Sequence, residues 1–181
     1  ERESRKFAVA AEQQALGAEQ QQARLRRAAE ESERITLAAF LSSQNKFQEA
    51  DDLVSHISSI KPSLDAEAVF RALGQWHALQ GEWTESAERF KLLLAADQRD
   101  NAWAITEDLL KAGPILIERG DMQGYEQFRR AAIARYLDTT DPIFAERTLK
   151  SSLLRPADPD VMKSLEALSD VSAKSMEHAG Q

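Results

Sequence analysis

The feature that most constrains the fold is a spacing of glycine, small and aromatic residues along the middle of the chain. Leu73-Gly74 is followed by Gly81-Glu82-Trp83 and then by Phe90. This spacing predicts two helices joined by a short turn at Gly81. Gly74 is then the glycine at which the paired helices approach closely, and Ser86 is the small residue on the second helix that faces it.

The same pattern recurs on both sides of this unit. At an offset of 36 residues upstream, five positions match: Leu37 with Leu73, Ala38 with Gly74, Phe47 with Trp83, Ala50 with Ser86, and Val54 with Phe90. Downstream, Gly120-Asp121-Met122 stands 39 residues after Gly81-Glu82-Trp83. There Tyr125 occupies the position that is otherwise small. A fourth helix pair, at about 142–176, lacks the glycines, and we interpret it as a degenerate repeat or a cap.

These units resemble tetratricopeptide repeats, which are helix pairs of about 34 residues that stack into a solenoid. The resemblance implies an all-α, tetratricopeptide-like helix-hairpin solenoid preceded by a long N-terminal helix. We expect a linker or coiled-coil-like helix over residues 1–30 and a repeat array over 31–181. The expected units are 31–64, 67–100, 101–140 and a degenerate 141–178. Such an array implies a scaffold that binds other protein chains.

Composition narrows the class of protein further. Hydrophobic residues make up 43% of the chain and charged residues 29%, so a core can form. Cysteine is absent, which excludes disulfides and thiolate metal sites. No apolar run is long enough to predict a membrane span. The net charge of −7 argues against nucleic-acid binding. The chain starts at Glu1 within a predicted helix, which suggests a fragment of a longer protein, so the compartment stays open: cytoplasmic, or extracytoplasmic if a membrane helix precedes Glu1.

One long helix is predicted over residues 3–43. Its first part carries a narrow stripe at alternating spacings of three and four residues: Ala8, Ala11, Ala15, Ala18, Gln22, Leu25 and Ala29. Three interpretations stay open: a solvated connector, an intermolecular helix pair, or a helix that packs back on the array. For the second of these we expect weak homodimerisation through residues 7–29.

Helix boundaries follow from capping residues and prolines. The remaining helices are predicted near 46–60, 65–80, 83–96, 101–119 and 122–137, with the fourth pair after them. Ser63 or Asp65 is expected to cap the third helix, and Asp100 or Asn101 the fifth. Asp141-Pro142 and Asp158-Pro159 mark two further helix starts. Pro114 lies inside a predicted helix, where we expect a kink.

A second resemblance lies in the C-terminal half. Its residues are Gly120-Asp121-Met122-Gln123-Gly124-Tyr125, Asp138-Thr139-Thr140-Asp141-Pro142, Ala145-Glu146-Arg147-Thr148 and Leu153-Leu154-Arg155-Pro156. This string resembles the C-terminal repeat region of large bacterial serine/threonine protein kinases of the planctomycete and verrucomicrobial type. The resemblance implies a regulatory or partner-binding module of such a kinase, without the catalytic domain.

The candidate binding residues lie on the first helix of each pair, which lines the concave face in this kind of fold. From the second unit they are Arg71, Gln75, Ala78 and Leu79; from the first Ile35 and Ala39; from the third Leu110 and Ile117. Arg71 and Gln75, one turn apart, suit a carboxylate or a peptide backbone. We expect a mixed polar and apolar groove for a helix or an extended segment.

Motifs for catalysis are missing from the sequence. There is no phosphate-binding glycine loop, no HExxH, and neither of the kinase motifs HRD and DFG. His77 fits a packed structural position. We therefore predict a non-enzymatic protein-interaction scaffold that needs no cofactor or metal, with a structural spacer and self-association module as the alternative.

Overall fold

A computed structural model describes residues 2–58, 60–96 and 102–179, and side chains within 13–58, 60–96 and 103–173. Every regular element in this part of the chain is α-helical. The elements are α1 (Arg2–Ser43), α2 (Phe47–Val54), α3 (Leu64–Leu79), α4 (Trp83–Ala96), α5 (Ala102–Glu118), α6 (Met122–Tyr136), α7 (Pro142–Ser152) and α8 (Pro159–Ala179). The predicted all-α class is confirmed, and most predicted boundaries agree within one or two residues.

The chain divides into two compact units, residues 1–57 and 58–181. The first unit consists of α1 and α2. Its core is formed by Ile35 and Ala38 of α1 with Ala50 and Val54 of α2, all of them buried. Over Gln13–Arg27 every side chain of α1 is exposed.

The second helix is shorter than predicted, because it ends at Val54 and not near residue 60. The hydroxyl of Ser55 donates to the carbonyl oxygen of Asp52 at 3.1 Å, and the amide of Ile57 donates to the carbonyl of Val54 at 3.0 Å. Serine side chains that bond locally to the backbone compete with helix propagation. The helix therefore ends in a turn at Ser55.

The second unit begins with the tightly packed hairpin α3/α4. At Gly74, an added Cβ would lie 2.7 Å from two ring carbons of Phe90. The Ser86 hydroxyl, fully buried, donates to the carbonyl oxygen of Gly74 at 2.7 Å. The predicted close approach of Gly74 and Ser86 is confirmed.

The turn of this hairpin is fixed by backbone and side-chain bonds. Gly81 has φ of +75°, a conformation that side chains with a Cβ rarely adopt. The amide of Glu82 donates to the carbonyl of His77 at 3.0 Å, and His77 Nδ1 lies 2.6 Å from Glu82 Oε2. His77 is buried, as expected of a structural imidazole. Ser63 caps α3 by accepting from the amide of Ala66 at 3.1 Å.

The next hairpin is packed differently, since α5 packs more extensively on α7 than on α6. An added Cβ at Gly113 would face Leu154 Cδ1 at 3.0 Å and Phe128 Cε1 at 3.2 Å. Arg147 of α7 stacks 4.0 Å over the Trp103 ring of α5 and donates to the Trp103 carbonyl at 3.0 Å. Gly113 of α5 therefore lies close to Leu154, which follows α7, as well as to Phe128 of α6.

Two large side chains of α6 reach the C-terminus of α7. The hydroxyl of Tyr125 lies 3.2 Å from the Ser151 carbonyl oxygen and 3.0 Å from that of Ser152. Arg129, only 1% exposed, donates to the carbonyl oxygens of Arg155 and Pro156, each at 3.2 Å. The last carbonyls of a helix have no partner within it. Tyr125 and Arg129, one turn apart, supply donors at this helix end.

The C-terminal core lies between α6, α7 and α8. Its buried residues are Ile133, Ala145, Val161, Leu165 and Leu168. Both predicted caps are present: Asp141 accepts from the amide of Ile143 at 2.8 Å, and Asp158 from that of Val161 at 2.9 Å. The predicted caps of α5, Asp100 and Asn101, lie outside the described residues. Helix α5 continues through Pro114 to Glu118.

Candidate protein-binding surface

The predicted surface on α3 combines a half-buried polar face with one exposed leucine. Arg71, Gln75 and Ala78 are half-buried and share one face of the helix at spacings of four and three residues. Leu79 is 89% exposed at the end of the helix. Because Leu79 is so exposed, a partner can contact it without any rearrangement of the hairpin.

Arg71 is engaged within the protein by a carboxylate of the next hairpin. Its Nε lies 2.9 Å from Asp108 Oδ1, and its Nη2 lies 2.6 Å from Asp108 Oδ2. The Asp108 side chain is 1% exposed and that of Arg71 is 28% exposed. This bidentate pair holds α3 beside α5 and takes up the donors that were expected to face a ligand. The carboxylate that Arg71 binds is therefore that of Asp108 in the same chain.

A second cation stands beside the same carboxylate. Lys111 Nζ lies 4.0 Å from Asp108 Oδ1, and the Lys111 side chain is 38% exposed. A separation of 4.0 Å is longer than a hydrogen bond, so the Lys111 ammonium donates no hydrogen bond to Asp108. Lys111 is thus a further candidate for binding an acidic group or a backbone carbonyl, and no repeat spacing or motif in the sequence points to it.

The repeat spacing gives only a partial signal for this pair. Asp108 follows Arg71 by 37 residues, which lies between the offsets of 36 and 39 seen among the units. Equivalent positions of successive first helices become neighbours when repeats stack. The offset of 39 places Leu110 at the position of Arg71, so the spacing brings Asp108 near Arg71 without identifying it as the partner.

The candidates on α5 are apolar and half-buried. Leu110 and Ile117 lie seven residues apart on one face of the helix, with Pro114 between them. They are on the same helix as Asp108 and Lys111. The second unit therefore presents a mixed surface: Gln75 and Lys111 supply polar groups, and the α5 side chains supply apolar area.

The two candidates on α1 belong to the first unit and differ from each other. Ile35 is 6% exposed and forms part of the core between α1 and α2. Ala39 is half-buried. Of the two, only Ala39 offers surface within its unit.

A separate cleft opens on the second unit between α4, α5 and α6. Its volume is about 610 Å³. Ile105, Leu109, Ala112 and Leu116 of α5 line it, together with Ala87, Phe90 and Leu94 of α4 and Gly124, Phe128, Ala131 and Ala132 of α6. Charged residues at the cleft are Glu88, Lys91, Arg119, Asp121 and Arg135. The cleft exists because α6 is not packed as closely on α5 as α4 is on α3.

Two side chains of this unit have shifted pKa values. Burial raises the pKa of the Tyr125 hydroxyl, and the nearby Arg129 guanidinium opposes part of that effect. The amide of Val161, which bonds to the Asp158 carboxylate, lowers the pKa of that group, with Arg130 adding to the effect. Both groups hold helix ends in place, so these shifts accompany structural contacts.

Within the described residues, no group of three or more histidine or acidic side chains is arranged to hold a metal ion. No helix in that part of the chain has the length and apolar character needed to span a bilayer. Comparisons with known protein families, with curated proteins and with solved structures give no match to this chain.

Proposed function

We propose that this chain is a non-catalytic scaffold of the tetratricopeptide-like type, whose first helices bind a protein or peptide partner. The observation that carries the proposal is the α3/α4 hairpin, in which Gly74, Ser86 and Phe90 interlock. That contact supports assignment of the hairpin as a tetratricopeptide-like repeat. In such arrays the first helices line the concave face.

The chemistry of the surface supports an extended or helical protein segment as the ligand. Gln75 can donate to and accept from a peptide backbone, and Lys111 adds a cation. Leu110, Ile117 and Leu79 provide apolar contacts beside these polar groups. A mixed surface of this kind suits peptide recognition, in which polar groups fix the backbone and apolar groups add affinity.

Site-specific photo-crosslinking tests this proposal. A photoreactive residue replaces Gln75 in one protein and Leu110 in another, while the control carries it at Thr84, which is exposed on α4. We expect a defined adduct with a cellular protein at Gln75 and Leu110, none at Thr84, and loss of both adducts in the Lys111→Glu background. Equal adducts at all three positions would show that this surface is not the binding site.

Self-association through α1 is the second candidate function. The observation that favours it is the exposure of every side chain over Gln13–Arg27, together with Leu37 at 47% and Phe40 at 57%. A long helix with large exposed apolar residues gains free energy by burying them against a partner. Sedimentation of the full chain over a range of concentrations tests it, and a constant monomer mass would rule it out.

We further propose that the chain is the repeat region of a larger protein, a bacterial serine/threonine kinase. The resemblance of residues 120–156 to such kinases supports this. Several residues of that string meet in space, since the Tyr125 hydroxyl reaches the α7 end directly before Leu153-Leu154-Arg155-Pro156. The coding sequence upstream of Glu1 tests the proposal: an open reading frame with kinase motifs is expected, and its absence would contradict it.

A further inference from the structure

Each of the two units has an apolar feature that is at least partly open to solvent. In the second unit it is the cleft between α4, α5 and α6, hereafter the α4–α6 cleft. In the first unit it is a stripe along α1 that we call the α1 ridge. The ridge consists of Leu25, Ala29, Ser32, Glu33, Thr36, Leu37 and Phe40.

The two surfaces have complementary shapes. The cleft includes small residues, among them Ala131, which is exposed, and Ala87 and Ala112, which are buried. The ridge offers large ones: Leu25 is 62% exposed, Leu37 47% and Phe40 57%. Large side chains of one helix that enter gaps beside small residues of another give close interhelical packing.

The two surfaces also match in length. Along α5 the cleft extends from Ile105 to Arg119, about 21 Å at the rise of an α-helix. From Leu25 to Phe40 the ridge extends about 22 Å by the same measure.

Charge supports the same pairing. Lys91 and Arg119 are exposed at the cleft and form no ion pair with any other described residue, and Arg135 adds a third cation. The cleft also contains two acids, Glu88 and Asp121, and the Asp121 carboxylate accepts from the amide of Gly124 at 2.8 Å, so the five charged side chains sum to +1. The ridge contains Glu33, and Glu30 lies at its edge beside Arg26. Residues 25–40 as a whole carry three cations and three acids, so charge favours the pairing through local contacts such as that of Lys91 with Glu33.

We infer that the α4–α6 cleft binds the α1 ridge of a second copy of this chain. The inference rests on self-association through α1, the second proposed function, and adds the surface to which α1 binds. It differs from an α1–α1 pair through the alanine stripe of residues 7–29, because that pair would not involve the second unit.

Sedimentation velocity of the full chain and of single variants tests the inference. Ala131→Arg places a long side chain in the cleft, and because Ala131 is exposed its replacement leaves the fold intact. Its control is Ala134→Arg, exposed on the same helix but outside the cleft. Phe40→Glu acts on the ridge, and Leu16→Glu is its control, since Leu16 is 52% exposed and lies off the ridge.

We expect concentration-dependent association of the parent, about tenfold or more weaker in Ala131→Arg and in Phe40→Glu and unchanged in both controls. Lys91→Glu should weaken association, and Glu33→Lys in the same chain should restore it. A parent that stays monomeric would overturn both this inference and self-association. Association that persists in Ala131→Arg would overturn the cleft assignment alone, and leave an α1–α1 pair as the explanation.

Discussion

The hairpins α3/α4 and α5/α6 have related sequences but differ in how closely their helices pack. In α3/α4 the backbone at Gly74 lies directly against the Phe90 ring, and Ser86 donates to the Gly74 carbonyl. In α5/α6 the position of Ser86 is taken by Tyr125, whose hydroxyl reaches past α5 to the end of α7. The first hairpin has a closed interface, and the second borders a cleft of about 610 Å³.

This difference shows how one substitution in a repeat changes the role of its second helix. A small residue at the Ser86 position allows the two helices to touch, whereas a tyrosine there must extend elsewhere. Tyr125 and Arg129 use the space to supply donors to the C-terminus of α7. Helix α6 therefore packs less closely on α5, its partner in the hairpin, and contacts α7 instead.

The largest effect is expected from removal of the ion pair that joins the two hairpins. Among the described residues, Arg71→Leu leaves the buried Asp108 carboxylate with only Lys111, at 4.0 Å, as a cationic neighbour. Breaking a buried pair by removing one partner costs about 3 kcal/mol of unfolding free energy. Chemical denaturation measures this loss. A cost below about 0.5 kcal/mol would show that the hairpins are held together without the pair.

The next effect concerns the closed interface itself. Gly74→Leu forces a side chain into the Phe90 ring, and overpacking of this kind costs about 1–3 kcal/mol. Thermal unfolding followed by circular dichroism measures the change. A variant that melts like the parent would mean that α3 and α4 do not touch at Gly74.

In the open hairpin, Tyr125→Phe removes the hydroxyl while keeping the ring. We expect a loss of about 1 kcal/mol, because the buried carbonyls of Ser151 and Ser152 lose a donor. The pKa of Tyr125 is raised by burial, so the unfolded chain ionises first as pH rises. The tyrosine contribution is therefore full below about pH 10 and falls above it. Denaturation of parent and variant at neutral and alkaline pH should show the difference narrowing, and a constant difference would contradict this.

The smallest effect is expected at the glycine of the open hairpin. At Gly113 an added Cβ would meet Leu154 Cδ1 at 3.0 Å, and Leu154 is 41% exposed, so its end can move. The better helix propensity of alanine offsets that adjustment. Gly113→Ala should therefore unfold within about 0.5 kcal/mol of the parent. A larger loss would show that the side chains around Gly113 cannot move aside.

Much of the fold follows from local sequence signals. The caps Ser63, Asp141 and Asp158 and the turn at Gly81 were predictable because each depends on a few neighbouring residues. Gly74 and Ser86 were predictable because the repeat spacing places them in register. The end of α2 at Val54 was not, since an apolar Ile57 follows and suggests that the helix continues.

The candidate surface was harder to predict because its residues interact across hairpins. Arg71 was assigned to a ligand on the spacing of α3 alone, and only the neighbouring α5 reveals Asp108 as its partner. The α4–α6 cleft also had no sequence signal, because it depends on how closely α6 packs on α5. Prediction of contacts between hairpins therefore requires knowing which residues of successive hairpins lie opposite each other.

A double-mutant cycle at Gly74 and Phe90 tests the central claim, that these residues touch across a closed hairpin. Gly74→Ala alone should destabilise the chain, because the new Cβ meets the Phe90 ring. In the Phe90→Leu background the ring is gone, so we expect the same change to cost little, with a coupling free energy of about 1 kcal/mol or more from chemical denaturation. The corresponding cycle at Gly113 and Phe128 should give a smaller coupling. Additive effects at Gly74 and Phe90 would contradict the closed hairpin and, with it, the repeat assignment on which the proposed function rests.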